Sequence, residues 1–488
     1  MLPRPELESK NLKDFDNTLF DQEIKISGVA LNANMVKPGD LFIALQGAKT
    51  HGLNFVADAI ANGAVAVLSD KSADISIPIF ISKDAKRLVG KISAWFNEEP
   101  FSKLFAVGIT GTNGKTTSVN LLNQIWQLSG RKTGVIGTIG TEINETKYSG
   151  VRTTPEASEL QSIAALMIQE NVSNLAMEVS SHALVQERLS GAHFKIAGFT
   201  NLTQDHLDFH QSMENYFEAK SRLFNDDLSD LSVINIDDPY GKKLFALNPH
   251  KAISVSRADK SGDWHYQSVK ANQNGFDVEI IGKKDQLVTG NFPLLGEHNL
   301  DNLILAVAIA AESGLSTDEI SAAIPNLKSV TGRLEQVNLG QNFNALVDYA
   351  HTPDAVERVL ISARLFTSGK IIAILGCGGD RDKGKRPLMG QALANYSDVA
   401  IFTSDNPRSE SPQQILKEMV GELSVAKPNK VIEDRKEAIK YAVSMAQSGD
   451  SILLLGKGHE VGQEVNGVNT PFSDLLELTD AIKKAVKS

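Results

Sequence analysis

The chain has 488 residues, with 42% hydrophobic residues, 22% charged residues, a single cysteine and a formal net charge of -10. This composition is typical of a globular protein, and the length predicts roughly three domains. The acidic balance argues against nonspecific nucleic-acid binding, and the lone Cys377 excludes an intramolecular disulfide. No apolar run reaches the ~18 residues of a membrane span, and the N-terminal segment lacks a signal-peptide core. We therefore expect a cytoplasmic protein.

The predicted elements alternate between strands and helices along the whole chain. The first unit has strands at 40–45, 64–68 and 77–81 and a helix at 55–61. The second unit starts with the apolar run 104–107 and continues with strands at 175–179, 196–200 and 232–236, a hairpin at 272–288 turning at Asn274-Gly275, and a helix at 300–311. The third unit has strands at 345–349, 371–375, 399–403 and 452–455.

This alternation predicts an α/β fold with mostly parallel sheets. We expect three domains, at residues 1–100, 101–331 and 332–488. The central domain should contain a parallel sheet of the P-loop ATPase type, and the last domain should be Rossmann-like.

A glycine-rich segment, Gly111-Thr112-Asn113-Gly114-Lys115-Thr116-Thr117, follows the apolar run 104–107. Residues 117–128 after it have helical apolar spacing, so strand, loop and helix occur in the order of a phosphate-binding loop. Lys115 would neutralise the β- and γ-phosphates, and Thr116 would offer its hydroxyl to a metal ion. The spacing is a variant, because Ile109 stands where the usual motif has glycine. A coincidental glycine turn is the alternative.

Five further polar positions lie at the ends of predicted strands or on helices. Glu178 ends a predicted strand, where parallel sheets bind ligands, although a solvent-facing acid is the alternative. His206 follows another strand and is either a metal ligand or an ordinary loop histidine. Lys220, taken alone, is most simply a lysine on a helix surface. Asn299 could be a helix N-cap, and Asp348 a buried structural carboxylate.

The segment 108–117 resembles the phosphate loop of the Mur ligase family, whose members build the peptide stem of bacterial cell-wall precursors. The resemblance extends over essentially the whole chain. It implies that ATP is bound by Thr110, Gly111, Thr112, Asn113, Gly114, Lys115, Thr116, Asn299, Arg333 and Asp348. It also implies that Mg²⁺ is held by Thr116, Glu178, His206 and a carbamylated Lys220, and that Lys115, Glu178, His206 and Lys220 are catalytic.

The tetrapeptide Asp405-Asn406-Pro407-Arg408 resembles the signature of family members that add meso-diaminopimelate. As a plain turn it would carry no specificity. An arginine suits this substrate, since meso-diaminopimelate differs from lysine by one carboxylate that a guanidinium can bind through two hydrogen bonds. The resemblance implies that the amino acid contacts Arg381, Asp405, Asn406, Pro407, Arg408, Gly456 and Glu460.

The first and second units resemble the family's binding site for a UDP-linked muramoyl dipeptide. The implied contacts are Leu31, Ala33, Ala48, Lys49, Thr50, Thr153, Thr154, Ser180, Gln186 and Arg188. The match departs from the family at Asn32-Ala33-Asn34, where Asp-Ser-Arg is usual. Ala33 lacks the serine hydroxyl and Asn34 lacks the arginine charge.

The resemblance therefore implies an ATP- and Mg²⁺-dependent ligase that joins meso-diaminopimelate to UDP-N-acetylmuramoyl-L-alanyl-D-glutamate through an acyl phosphate. We expect a monomer that has no membrane span and does not bind nucleic acid. The alternatives are a lysine-adding ligase of the same family, a folylpolyglutamate synthetase, a P-loop kinase and a non-catalytic nucleotide-binding scaffold.

Overall fold

A computed structural model describes residues 2–47, 50–150, 152–247, 250–272, 275–421, 423 and 429–487. Its described strands form three larger sheets that follow one another along the chain, plus two two-stranded pairs. The α/β class predicted from the sequence is confirmed. The domain boundaries near 100 and 331 remain a prediction.

The N-terminal sheet has four described strands, all parallel, in the spatial order Gly28–Ala30, Asp40–Ala44, Ala66–Ser69 and Ile79–Ile81. A short antiparallel pair, Lys10–Asn11 with Lys25–Ile26, precedes it. The helices of this part are Leu12–Phe15, Val56–Ala61 and Ala85–Phe96, with 3-10 turns at Ala33–Met35 and Gly52–Phe55.

The central sheet contains eleven strands among the described residues. Their spatial order is Thr146–Tyr148, Gly140–Ile143, Thr133–Gly137, Asn174–Glu178, Phe105–Thr110, Phe194–Phe199, Ser229–Asn235, Ala252–Ser256, Trp264–Asn272, Gly275–Ile281 and Leu287–Phe292. The seven strands from Thr133–Gly137 to Trp264–Asn272 run parallel, and antiparallel strands extend both edges.

The α-helices around this sheet are Pro100–Lys103, Lys115–Leu128, Ala157–Gln169, Ser181–Val185, Leu207–His210, Met213–Ser221, Pro239–Leu247, His298–Glu312 and Thr317–Ala323, and 3-10 turns lie at Arg222–Phe224, Lys283–Asp285 and Ile324–Asn326. The strand Phe105–Thr110 alternates its side chains between two apolar clusters, Val107 and Ile109 in one and Ala106 in the other. This period of two buries both faces of the sheet, as expected for a parallel sheet covered by helices.

The third sheet has six described strands in the order Glu335–Gln336, Asn344–Asp348, Ser451–Leu455, Ile371–Leu375, Val399–Phe402 and Lys430–Val431. Only its first strand is antiparallel to its neighbour within the described part. Its helices are Pro353–Arg364, Lys385–Tyr396, Pro412–Val420, Arg435–Met445 and Asp474–Lys487. A separate hairpin, formed by Gly462–Val465 and Val468–Pro471, projects beside this sheet.

The observed elements differ from the predicted ones mainly at their ends. The helix predicted at 117–128 begins at Lys115, because Gly114 adopts a left-handed φ of 86° that lets the loop turn directly into the helix. The hairpin predicted at 272–288 is part of a three-stranded meander from Trp264 to Phe292. Its predicted turn residue Asn274 lies outside the described residues.

Candidate active site

The phosphate loop, residues 111–114, lies between the strand Phe105–Thr110 and the helix Lys115–Leu128. The Lys115 ammonium folds back over the loop and donates to the carbonyls of Gly111 and Thr112, both at 2.9 Å. Burial lowers the pKa of Lys115. This lysine forms no ion pair among the described residues, so its charge is available to an anion in the loop.

Hydrogen bonds tie this loop and the start of the following helix to the chain beyond residue 331. The Arg333 Nη2 donates to the Thr116 hydroxyl at 3.2 Å, and the Asn113 amide nitrogen Nδ2 donates to Asp354 Oδ2 at 3.2 Å. The Arg333 guanidinium also lies 4.6 Å from the centre of the Tyr349 ring. The loop is therefore in direct contact with the part of the chain that forms the third sheet.

Lys220 is buried, with only 2% of its surface exposed, so the interpretation as a surface lysine is wrong. Its ammonium donates to the Gly111 carbonyl at 2.8 Å and lies 4.7 Å from the Tyr216 ring centre. Burial, with Lys115 adding a second positive charge nearby, lowers the pKa of Lys220 far below its ordinary value. Lys220 thus supplies an amine, directly behind the phosphate loop, that readily becomes neutral.

Glu178 and His206 both line the cavity in front of the phosphate loop. The buried Glu178 carboxylate accepts from the Thr138 backbone N–H at 2.8 Å and from its hydroxyl at 3.1 Å, so the solvent-facing alternative is wrong. His206 has a left-handed φ of 53° and forms a 3.4 Å contact with Asp205. Burial lowers the pKa of His206, which favours a neutral imidazole at pH 7.

Several of the predicted ATP contacts meet in a second cleft. Asn299 and Asn302 form one wall, and Arg333, Asp348 and Tyr349 form another. Asn299 is the second residue of its helix and donates to the Leu295 carbonyl at 2.7 Å, while Glu297 occupies the N-cap, so the N-cap interpretation is wrong.

Asp348 has two roles in the geometry of this cleft. It lines the cleft, as the binding hypothesis predicts. It also accepts from the backbone N–H groups of Leu334 and Ala350, each at 2.7 Å, as expected for a buried structural carboxylate. Burial raises its pKa. Asp348 therefore fixes the chain on both sides of the strand Asn344–Asp348.

The predicted amino-acid residues share one cavity with the phosphate loop. This cavity contains Lys115, Glu178 and His206, and it is also lined by Arg381, Asp405, Asn406, Arg408, Gly456 and Glu460. Pro407 is buried and lies outside the cavity lining. Loops that follow three neighbouring strands of the third sheet thus face the phosphate loop of the central sheet.

Lys457, which sequence analysis missed, lies behind the lining of this cavity. It is fully buried, and its ammonium donates to Asn406 Oδ1 at 3.2 Å and Glu460 Oε2 at 3.1 Å. Asn406 in turn donates to the same Glu460 oxygen at 2.7 Å. One internal cation therefore orients two of the predicted amino-acid contacts.

Arg386 was also missed, and it too lies behind the cavity lining. Its buried guanidinium makes hydrogen bonds to both carboxylate oxygens of Glu410, at 2.8 and 3.0 Å, and another to Glu418. Glu410 also accepts from the Asp380 backbone N–H at 2.6 Å. This ion pair joins the loop that carries Arg381 to the loop that carries Arg408.

The predicted contacts to the UDP-linked substrate lie in several places. Leu31, Ala33, Thr50, Gln186 and Arg188 line a large cleft between the N-terminal and central sheets. Thr153 and Ser180 line the cavity of the phosphate loop instead.

Three predicted contacts lie apart from both cavities or outside the description. Thr154 is fully buried, and its hydroxyl donates to the Glu178 carbonyl at 2.9 Å. Its position indicates support of the strand end that carries Glu178. Ala48 and Lys49 lie outside the described residues.

The described part of the chain offers no group of three or more His, Cys, Asp or Glu side chains arranged to hold a metal ion. Magnesium does not require such a group, because it commonly takes one or two protein oxygens together with phosphates and water. The Thr116 hydroxyl and the Glu178 carboxylate in one cavity fit that pattern. Among described helices, none is long and apolar enough to cross a membrane.

The fold and site together define an enzyme of the nucleotide-dependent ligase class. Profiles of three domains match the chain: "Mur ligase family, catalytic domain" over residues 25–97, "Mur ligase middle domain" over 109–310 and "Mur ligase, glutamate ligase domain" over 332–458. The chain belongs to the Mur ligase family.

Similar proteins cover nearly its whole length. The UDP-N-acetylmuramoyl-L-alanyl-D-glutamate–2,6-diaminopimelate ligase of Streptomyces avermitilis is 41% identical over 475 residues, 95% of this chain and 94% of the relative. The ligase of the same name from Geobacillus thermodenitrificans is 39% identical over 467 residues, 94% and 95% of the two chains. A solved structure of a ligase with this name has 32% identity and a TM-score of 0.70, covering 98% of this chain and all of that one.

Proposed function

We propose that this chain joins meso-diaminopimelate to UDP-N-acetylmuramoyl-L-alanyl-D-glutamate, with ATP converted to ADP and phosphate, in peptidoglycan precursor synthesis. The observation that carries the proposal is the single cavity that holds both Lys115 of the phosphate loop and Arg408 of the Asp405–Arg408 turn. Nucleotide and amino-acid chemistry can therefore meet at one place. The names of the relatives at about 40% identity agree with this substrate pair.

ATP would be oriented by groups on both sides of the phosphate loop. The backbone N–H groups of residues 111–114 and the start of the 14-residue helix Lys115–Leu128 suit the phosphates. Lys115 would move from the two carbonyls that it contacts now to the β- and γ-phosphates. Asn299 and Asn302 would contact the base, and Arg333 would approach the phosphates from the third sheet.

The reaction would proceed in two steps. An oxygen of the D-glutamyl side-chain carboxylate attacks the γ-phosphorus, and the bond from that phosphorus to ADP breaks, which gives an acyl phosphate and ADP. The amine of diaminopimelate then attacks the acyl carbon and loses a proton, and phosphate leaves as the amide forms. Lys115 stabilises the negative charge that accumulates on the transferred group.

Mg²⁺ would be held by Thr116, Glu178 and His206, together with a carbamylated Lys220. When bound, it would offset the negative charge of the phosphates. The Lys220 carbamate would form when the neutral amine attacks the carbon of CO2 and releases a proton, giving an anion in place of a cation. The depressed pKa of Lys220 supports this modification, since only the neutral amine is nucleophilic.

The amino acid would be recognised by charge at both ends. Glu460 would accept from an ammonium group, and Arg408 would bind the carboxylate that lysine lacks. Gly456 is positioned by its backbone N–H, which donates to the Asp348 carbonyl at 3.1 Å. We further propose that the protein acts as a monomer in the cytoplasm, which a sedimentation measurement and cell fractionation would test.

An assay of ADP release separates the alternatives. Enzyme, MgATP and the UDP-linked dipeptide would be combined with meso-diaminopimelate, L-lysine, L-glutamate or no amine. We expect amine-dependent ADP release with meso-diaminopimelate at low concentration. Preference for lysine would identify the lysine-adding ligase. Glutamate-dependent ADP release in a parallel reaction, with a folate in place of the UDP-linked dipeptide, would identify the folylpolyglutamate synthetase. Substrate phosphorylation without amide formation would identify a kinase, and no turnover would identify a scaffold.

A further inference from the structure

The hairpin of residues 462–471 packs against the Asp405–Arg408 turn. Gln463 Nε2 donates to the Asp405 carbonyl at 2.6 Å, and the Glu464 backbone N–H donates to Asn406 Oδ1 at 3.0 Å. The Arg408 backbone N–H donates to the Glu464 carbonyl at 3.0 Å, and the Arg408 carbonyl accepts from Asn466. Three residues of the turn are thus bonded to this hairpin.

The Arg408 guanidinium is held from two sides. Its Nη1 donates to the Gly379 carbonyl at 2.8 Å, and its Nε lies 3.5 Å from the Glu464 carboxylate. A guanidinium has five N–H groups, so the second proton on Nη1 and both protons on Nη2 remain for a ligand. Those are enough to bind one carboxylate through two parallel hydrogen bonds.

We propose that Glu464 is a positioning residue that orients Arg408 toward the second carboxylate of the amino-acid substrate. This inference rests on the proposed function. The contact with Gly379 alone would leave the guanidinium plane free to rotate, whereas Glu464 fixes its opposite edge. Arg408 also has a left-handed φ of 52°, which the hydrogen bonds to the hairpin help to maintain.

The effect should be modest, because the side chains of Arg408 and Glu464 are 22% and 44% exposed. Water and salt screen an ion pair at that exposure. We therefore expect Glu464→Ala to raise the KM for meso-diaminopimelate about three- to fivefold, with kcat and the KM for ATP unchanged. Glu464→Gln keeps the shape of the side chain and should give a smaller increase.

The KM for L-lysine distinguishes a positioning role of Glu464 from a merely structural one. Lysine has no second carboxylate, so its KM should be the same in wild-type and Glu464→Ala enzymes. Glu477→Gln is the matched control, since it removes a carboxylate from the neighbouring helix where Glu477 pairs with Lys436. That control should leave all the KM values unchanged.

A double-mutant cycle with Arg408→Ala gives the decisive outcome. In the Arg408→Ala background, Glu464→Ala should no longer change the KM for meso-diaminopimelate. Additive effects in the cycle, or an equal rise in the KM for lysine, would overturn the positioning role. A wild-type enzyme that does not use meso-diaminopimelate would instead refute the proposed function, and so the two failures are distinguishable.

Discussion

Buried cations on the two sides of the active-site cavity differ in whether a carboxylate neutralises them. On the nucleotide side, Lys115 and Lys220 contact backbone carbonyls and form no ion pair among the described residues. Behind the amino-acid side, Lys457 and Arg386 are buried against carboxylates. Arg435, which donates to the carbonyl of Leu455 just before Gly456, is buried against Asp474. The comparison predicts that Lys115 obtains its counter-charge from a ligand, whereas the cations behind the amino-acid side are already neutralised by carboxylates.

This difference separates two kinds of residue. An unpaired buried cation raises the free energy of the empty protein and favours an incoming anion. A paired cation instead holds loops in one arrangement before the substrate arrives. Substitutions on the nucleotide side should therefore reduce activity with little loss of stability, and substitutions of the paired cations should reduce stability.

The largest effect is expected for Asp474→Asn. Arg435 and Asp474 are fully buried, and their two hydrogen bonds measure 2.7 and 2.6 Å. Removing the carboxylate leaves a buried guanidinium without its counter-charge, which should lower the free energy of unfolding by about 3–5 kcal/mol. Urea unfolding would measure this loss. The partly exposed ion pair between Glu477 and Lys436 serves as the control. A comparable loss of stability in Glu477→Gln would contradict the conclusion that burial of the Arg435–Asp474 pair causes the effect.

Lys115→Ala should reduce kcat by a factor of about 10²–10³, because a preorganised cation is lost from the transferred phosphate. The thermal unfolding midpoint should be unchanged, because removal of this lysine leaves no buried carboxylate without a partner. Lys103→Ala is the control, as that lysine is exposed and pairs only with Glu98. Turnover near that of the wild type would refute the phosphate-loop assignment.

Lys220→Ala should reduce turnover about 10²-fold if the carbamate holds the metal ion. NMR of the protein in ¹³C-labelled bicarbonate should show one carbamate carbonyl signal in the wild type that is missing from the variant. Lys195→Ala, at an exposed lysine, should retain the signal. Full activity of an enzyme that shows no carbamate signal would exclude the modification as a requirement.

Arg408→Ala should lower kcat/KM for meso-diaminopimelate by about 2 kcal/mol, or roughly 30-fold, with the KM for ATP unchanged. We use the low end of the range for buried charge pairs, because the guanidinium is partly exposed. Discrimination against lysine should weaken at the same time. An unchanged preference between the two amino acids would exclude Arg408 as the specificity residue.

The smallest effect is expected for the stability that the ion pair between Glu410 and Arg386 contributes, which should depend on pH. Hydrogen bonds from Arg386 lower the pKa of Glu410 from 4.5 to about 2. A depressed carboxyl pKa stabilises the fold above pH 4.5, and the contribution is lost as the pH falls toward 2. Glu410→Gln should therefore be about 1 kcal/mol less stable than the wild type at pH 7. Thermal unfolding at several pH values should show that the difference in stability between Glu410→Gln and the wild type disappears as the pH falls below 4.5.

The sequence predicted the parts of the site that follow strands, because the carboxyl ends of parallel strands meet at one edge of a sheet. Glu178, Asp405 and Gly456 all follow predicted strands, and the structure brings them to one cavity. The burial of Lys220 was not predictable from its helix alone. It depends on how the helix Met213–Ser221 packs behind the phosphate loop, which is a long-range contact.

The hairpin of residues 462–471 was missed although a local signal was present. Asn466-Gly467 is a dipeptide that favours the tight turn of a hairpin, and both residues have left-handed φ values, 50° and 78°. The flanking residues are mostly polar and exposed, so their alternation does not stand out. The contacts of Glu464 and Lys457 could not be inferred, because both depend on the Asp405–Arg408 turn far away in the chain.

Gly332 lies where the chain enters the third sheet, next to Arg333, and has a left-handed φ of 71°. A Cβ at this position would overlap the backbone of Gly458 and His459, directly before Glu460. The residue beside Arg333, for which we propose a role in nucleotide binding, is therefore in backbone contact with the loop that we propose receives the amino acid. We expect the two ligands to be thermodynamically linked through this contact. If bound nucleotide changes the affinity for the amino acid by some factor, then by reciprocity bound amino acid changes the affinity for nucleotide by the same factor.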